Sequence, residues 1–210
     1  MIPRPRPAGG FTLIKILVVI VILGILMSLA LVGISSALQS ARISKTEGMI
    51  EALASQCETY RIKWGDYPPS TLGEFRVAGL NELNNGIEAL TACLASRTKG
   101  DPLLTIRDDQ LVNTDGDSAT RNITNWYFGD TNLREICDGF GFVLCYMHWK
   151  DYEKPPAAIR RFKPDATAPE TSWEPARSPH TRTFLRPRTF QILSVGPDGM
   201  PGTADDVQAR

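Results

Sequence analysis

The sequence lacks any excess of charge, since 23 lysines and arginines are matched by 23 aspartates and glutamates over 210 residues. Without a field of one sign, nothing in the composition calls for nucleic acid or an acidic substrate. Histidine is scarce, and the four cysteines, Cys57, Cys93, Cys137 and Cys145, form no C-x-x-C pair, which argues against a structural zinc site. There is no G-x-S-x-G elbow and no phosphate-binding P-loop. His148 reads as a half-buried strand residue and His180 as a loop residue, so no catalytic constellation is legible and the chain reads as a non-enzyme. Nothing marks a second globular domain. Outside the cytosol, Cys137 with Cys145 and Cys57 with Cys93 are the available disulfides. The simpler reading is four buried free thiols.

What the sequence does have is one long apolar run. Residues 16 to 34 read ILVVIVILGILMSLALVGI, nineteen positions without a charge and with Ser28 as the one clearly polar side chain. That is enough helix to span a bilayer. The stretch before it, MIPRPRPAGG, carries Arg4 and Arg6, which places it on the cytoplasmic side and the bulk of the chain outside. A secretory signal has a shorter apolar core followed by a small-residue cleavage site. Cleavage beyond Ala30 or Ala37, and an uncut signal anchor, stay open on composition alone.

The placement of Gly9-Gly10-Phe11-Thr12-Leu13-Ile14 ahead of the run separates these readings. The stretch GFTLIKILVVIVILGIL resembles the cleavage and methylation motif of type IV pilins and type II secretion pseudopilins. The resemblance implies that a prepilin peptidase cuts after Gly10 and N-methylates Phe11. It implies a leader at 1–10, a transmembrane and assembly helix at 11–34 and an extracytoplasmic pilin-like domain at 35–210. The fifth mature position is usually glutamate in the family, where it neutralises a neighbour's N-terminal amine; here it is Lys15. A lysine can snorkel to the headgroups, so insertion is not threatened, but the usual assembly contact is. Some tip-located subunits of the family also lack the glutamate.

Beyond the apolar run, Thr46, Met49, Ile50, Leu53, Cys57, Tyr60 and Trp64 recur at three- and four-residue steps, which predicts one continuous helix from 11 to 64, stopped by Gly65. A second helix is predicted from Asn85 to about Arg97, and strands at 125–128, 140–149 and 189–195. The expected fold is α+β, a long N-terminal helix with a transmembrane and an amphipathic half packed on a small antiparallel sheet. The Asp66-Tyr67-Pro68-Pro69 turn, the Asn85-Gly86-Ile87-Glu88-Ala89-Leu90 segment, the Asp138-Gly139-Phe140-Gly141 turn and the Ser194-Val195-Gly196-Pro197-Asp198-Gly199 loop also resemble the major pseudopilin of type II secretion. Residues 150 to 188 hold seven prolines and read as a solvated loop or insertion.

Asp198, Asp205 and Asp206 lie in the glycine-rich segment GPDGMPGTADDV, where turned carbonyls and carboxylates suit Ca²⁺. The resemblance implies a structural calcium there, held by Asp198 and one of the terminal acidic pair; a metal-free turn is the alternative. Asp108, Asp109, Asp115 and Asp117 form a second acidic cluster containing N-T-D-G-D, which lacks the EF-hand pattern and reads as a solvated turn. Three functional readings follow: a major-type pseudopilin, a minor or tip pilin, and a signal-anchored periplasmic binding domain. For the first two the resemblance implies a homo-oligomeric fibre with other pseudopilins, an inner-membrane assembly platform as partner, and support of protein secretion.

Overall fold

The computed structural model describes residues 13–75, 81–124, 127–154 and 161–208. The processing positions Gly10 and Phe11 lie outside them. Helix α1 runs Leu13–Trp64, 52 residues. It ends where the sequence predicts, with Gly65 at φ 90 and its N–H donating to the Arg61 carbonyl at 2.7 Å. The chain divides into two compact units, Met1–Ala41 and Arg42–Arg210.

In the first unit the described residues are helical, and apolar side chains are exposed from Leu13 through Ile16, Ile20 and Leu26 to Leu29, and again at Ile34 and Leu38. Ser28, the polar exception, donates its hydroxyl to the Ile25 carbonyl at 2.8 Å and so leaves no unpaired group. The helix is long and apolar enough to cross a membrane.

The second unit has its own core. Thr46, Met49, Ile50, Leu53 and Cys57 of α1 are buried, as the helical period predicts, while Tyr60 and Trp64 are half-buried and stack on each other with centroids 4.4 Å apart. Ile50 and Leu53 are wholly buried, each stabilising by about 2 kcal/mol. Helix α2, Asn85–Ala95, is buried along its whole length, so it behaves as a core helix with no polar face.

Seven short strands are assigned among the described residues: β1 Leu111–Val112, β2 Glu135–Ile136, β3 Cys145–His148, β4 Arg161–Phe162, β5 Thr171–Ser172, β6 Phe190–Ser194 and β7 Val207–Gln208. They form three antiparallel sheets, β1-β2, β3-β6-β7 and β4-β5. The α+β class with a long first helix is therefore as expected, with three small sheets in place of one. Tyr127 and Phe128 are not in a strand; their rings lie under the guanidinium groups of Arg97 and Arg134.

The segment 150–188 departs from the solvated loop the prolines imply. Phe162 on β4 and Trp173 just after β5 are buried in the main core, and Tyr152 with them. Proline removes ladder hydrogen bonds and keeps the strands short, but it does not prevent the aromatic residues between the prolines from packing.

The start of α2 is fixed by buried polar contacts. Asn84 takes a left-handed conformation, φ 48, and its amide nitrogen donates to Glu135 Oε1, Thr114 Oγ1 and the Lys163 carbonyl, each at 3.1 Å. Asn85 Oδ1 accepts from the Leu72 N–H at 2.9 Å. Gly86 then passes so close to β3 that a Cβ there would lie 2.1 Å from the Tyr146 carbonyl oxygen. Replacement of Gly86 by alanine is expected to cost about 3 kcal/mol through overpacking, measured as a lowered urea midpoint of the full chain in detergent. A change within 0.5 kcal/mol, allowing the roughly ±0.5 kcal/mol spread of neutral surface changes, would show that this corner is not tightly held.

Candidate functional site

Four groups of candidate residues stand out. The first is the apolar stretch of α1, where Lys15 is exposed and sits near the start of the described helix. The motif residues before Leu13 lie outside the described residues.

The second is the turn 138–142. Asp138 Oδ1 accepts from the N–H groups of Phe140, Gly141 and Phe142 at 2.7, 2.9 and 3.0 Å, and Oδ2 accepts from the Ser194 hydroxyl at 2.5 Å. Burial nevertheless pushes the Asp138 carboxyl above its ordinary value, against the hydrogen bonds that lower it. Gly139 donates its N–H to Thr46 Oγ1 at 3.0 Å, and a Cβ on it would meet the Arg42 carbonyl at 2.6 Å.

The third is the C-terminal loop. Asp205 Oδ2 accepts from the Asp198 N–H at 3.2 Å, Asp198 Oδ1 from the Met200 N–H at 2.8 Å, and Asp206 Oδ2 from the Gly202 N–H at 2.8 Å. Asp206 Oδ1 is buried without a hydrogen-bond partner. Burial raises the Asp206 carboxyl, with Asp205 and Asp198 adding like charge. A Thr203 hydroxyl bond lowers Asp205.

The fourth was not foreseen as a site. Ligand oxygens of Glu88, Asp115 and Asp117 lie within 4.8 Å of one another, forming an acidic cluster of a kind that can hold a metal ion. Glu88 and Asp117 are buried, so the N-T-D-G-D segment is not a solvated turn throughout. Burial, with the like charges of Asp117, Asp115 and Glu135 behind it, pushes Glu88 up to about 10. The sequence held a signal for this, since Glu88 is the one charged residue of α2 and its neighbours Ile87, Ala89 and Leu90 are core formers.

The cysteines are buried thiols. Cys137 and Cys145, one of the pairs available for a disulfide, are both free. Cys137 pairs across a bridge with Val143, so Cys145 stands diagonal to it and not directly opposite. Burial raises the Cys137 thiol to about 12. His148 is more buried than its sequence context implies, and His180 is an exposed loop residue as read.

His148 also borders a cleft of about 320 Å³ lined by Tyr60, Trp64, Asp66, Tyr67 and Lys150. Its Nδ1 accepts from the Lys150 N–H at 3.1 Å, which leaves Nε2 to donate to Asp66 Oδ1 at 3.1 Å. Burial pulls the Asp66 carboxyl upward, but hydrogen bonds from Lys150, His148 and the Tyr67 N–H outweigh it and hold it at about 2.

Residues 5–31 match the prokaryotic N-terminal methylation motif. The chain is similar to the type II secretion system core protein G of Pseudomonas aeruginosa, 38% identical over 68 residues that make up 32% of this chain and 48% of that protein. It is likewise similar to the type II secretion system core protein G of Dickeya chrysanthemi, 41% identical over 68 residues, 32% of this chain and 44% of the relative. The match spans about half the length of these curated relatives. No solved structure matches.

Asp66 gives a pH test. Its folded-state value lies below its ordinary 3.8, so its contribution is present above that pH and is lost as the pH falls through about 2. The side chain is half exposed, so Asp66→Asn is expected to cost less than about 1 kcal/mol at pH 7 and nothing below pH 2, read from urea unfolding at both pH values. An equal cost at both would assign the loss to packing.

Proposed function

We propose that this chain is a structural subunit of a type II secretion pseudopilus or a related type IV pilus-like fibre, not an enzyme. The observation that carries the reading is the methylation motif at 5–31, which overlaps the start of an α1 whose described apolar side chains are exposed from Leu13 to Leu29 and again at Ile34 and Leu38. Exposing such a surface to water is untenable, so it needs lipid in the monomer and neighbouring copies in a fibre. In this reading residues 1–10 are a leader, a prepilin peptidase cuts after Gly10 and methylates Phe11, and residues 11–34 anchor the chain in the inner membrane. Residues 35–210 lie on the periplasmic side, where they meet other pseudopilins and the assembly platform.

Lys15 favours a second form of the same reading, an accessory or tip subunit, because a cation there cannot neutralise a neighbour's terminal amine. The similarity to proteins named core protein G favours the body of the fibre. Calcium belongs to the proposal as well. Asp206 Oδ1, buried and unpartnered, supports a cation held by Asp198 and Asp206, with Asp205 kept by its own hydrogen bonds to Thr203 and Asp198.

Co-expression with its own assembly machinery tests the reading. Shearing is expected to release the wild-type chain in fibres, Gly10→Val is expected to leave it in the membrane, and Lys15→Glu is expected to raise the fibre fraction severalfold. Gly10→Val in fibres at the wild-type level would overturn the proposal, and unchanged or reduced incorporation of Lys15→Glu would overturn the role given to Lys15.

A further inference from the structure

The cluster of Glu88, Asp115 and Asp117 has the makings of a second site, remote in sequence from the C-terminal loop. Glu88 Oε1, Asp115 Oδ2 and both carboxylate oxygens of Asp117 are buried without a hydrogen-bond partner. Glu88 is 97% buried and Asp117 91%, from relative exposures of 3% and 9%. Buried carboxylates without donors are costly and need either a cation or a proton. Among the described residues no lysine or arginine ion-pairs with any of the three.

The fold holds these oxygens together from two sides. Ala89 and Ala92 of α2 pack with Leu72, Ala119 and Leu133 in a small second core, which seats the 113–119 loop against the helix turn that carries Glu88. The loop is shaped from within, Asn113 donating to the Asp117 carbonyl at 2.7 Å and accepting from the Gly116 N–H at 2.8 Å. Asp115 Oδ1 accepts from the Asp117 N–H at 3.3 Å, leaving Oδ2 for another partner. Glu135 lies behind the cluster but is already satisfied by Thr114 and Asn84.

We propose that Glu88, Asp115 and Asp117 form a binding site for a hard divalent cation of the calcium class, clamping the 113–117 loop to α2. Three carboxylates supply hard oxygen at a formal charge of −3, and a six- to eight-coordinate ion takes its remaining ligands from solvent at the half-exposed Asp115 side. Zinc fits poorly, since no histidine or cysteine belongs to the cluster. The competing arrangement is a proton shared between Glu88 and Asp117, which offer oxygens within 4.8 Å of each other.

The test uses the full chain in detergent, with calcium as the probe, in a background of Asp205→Asn with Asp206→Asn that removes the C-terminal loop as a binding site. Equilibrium dialysis is expected to find one calcium per chain at about 1 mM, and Glu88→Gln or Asp115→Asn is expected to weaken it at least about tenfold. Calcium raises Tm only when Glu88 is present, and in chelator Glu88→Gln melts close to its parent, because without the ion Glu88 already holds a proton and the amide keeps its shape. The half-exposed Asp115 variant guards against a folding defect in the Glu88 variant. No calcium bound in this background, or binding unchanged in both variants, overturns the site. A Tm that rises on acidification but not with calcium overturns it in favour of the shared proton.

Discussion

The turn at 138–142 is the joint on which the second unit, Arg42–Arg210, depends. Asp138 collects three backbone N–H groups and the Ser194 hydroxyl, and Gly139 lies against Arg42 and Thr46 of α1 with no room for a side chain. One residue pair thus ties α1, the 138–142 turn and β6 together. Ser194 extends the tie by accepting from the Gly196 N–H at 3.1 Å, where the C-terminal loop begins. A buried carboxylate is costly, and four hydrogen bonds are what make this one tolerable. This packing gives a physical reason for the aspartate and the glycine at the start of the turn.

The amphipathic half of α1 was legible because a buried helix face leaves a period of three and four, and Met49, Ile50, Leu53 and Cys57 follow it. The strands were legible only where they are long enough to show a pattern. β3 and β6 fall within the predicted segments, while the two-residue strands β1, β2, β4, β5 and β7 are too short to carry a period. Composition misled at 150–188, where proline count hid Phe162 and Trp173 as core residues. It misled again at Asp117, because whether a carboxylate is solvated depends on what packs over it. The partner, Glu88, comes from a helix nearly thirty residues away, and no local pattern reports that.

The two units ask different things of one continuous helix. From Arg42 onward, α1 packs its stripe within a domain that has its own core. Before Ala41, the described side chains have no core to enter, and their burial must come from outside the chain.

The measurement that bears most directly on this account is the intact mass and N-terminal residue of the chain taken from its native membrane. The account predicts a chain that begins at Phe11 and carries one added methyl group on its terminal amine. An uncut chain beginning at Met1, or one that begins beyond Ala30, would contradict it and leave a signal-anchored or secreted domain in place of a fibre subunit.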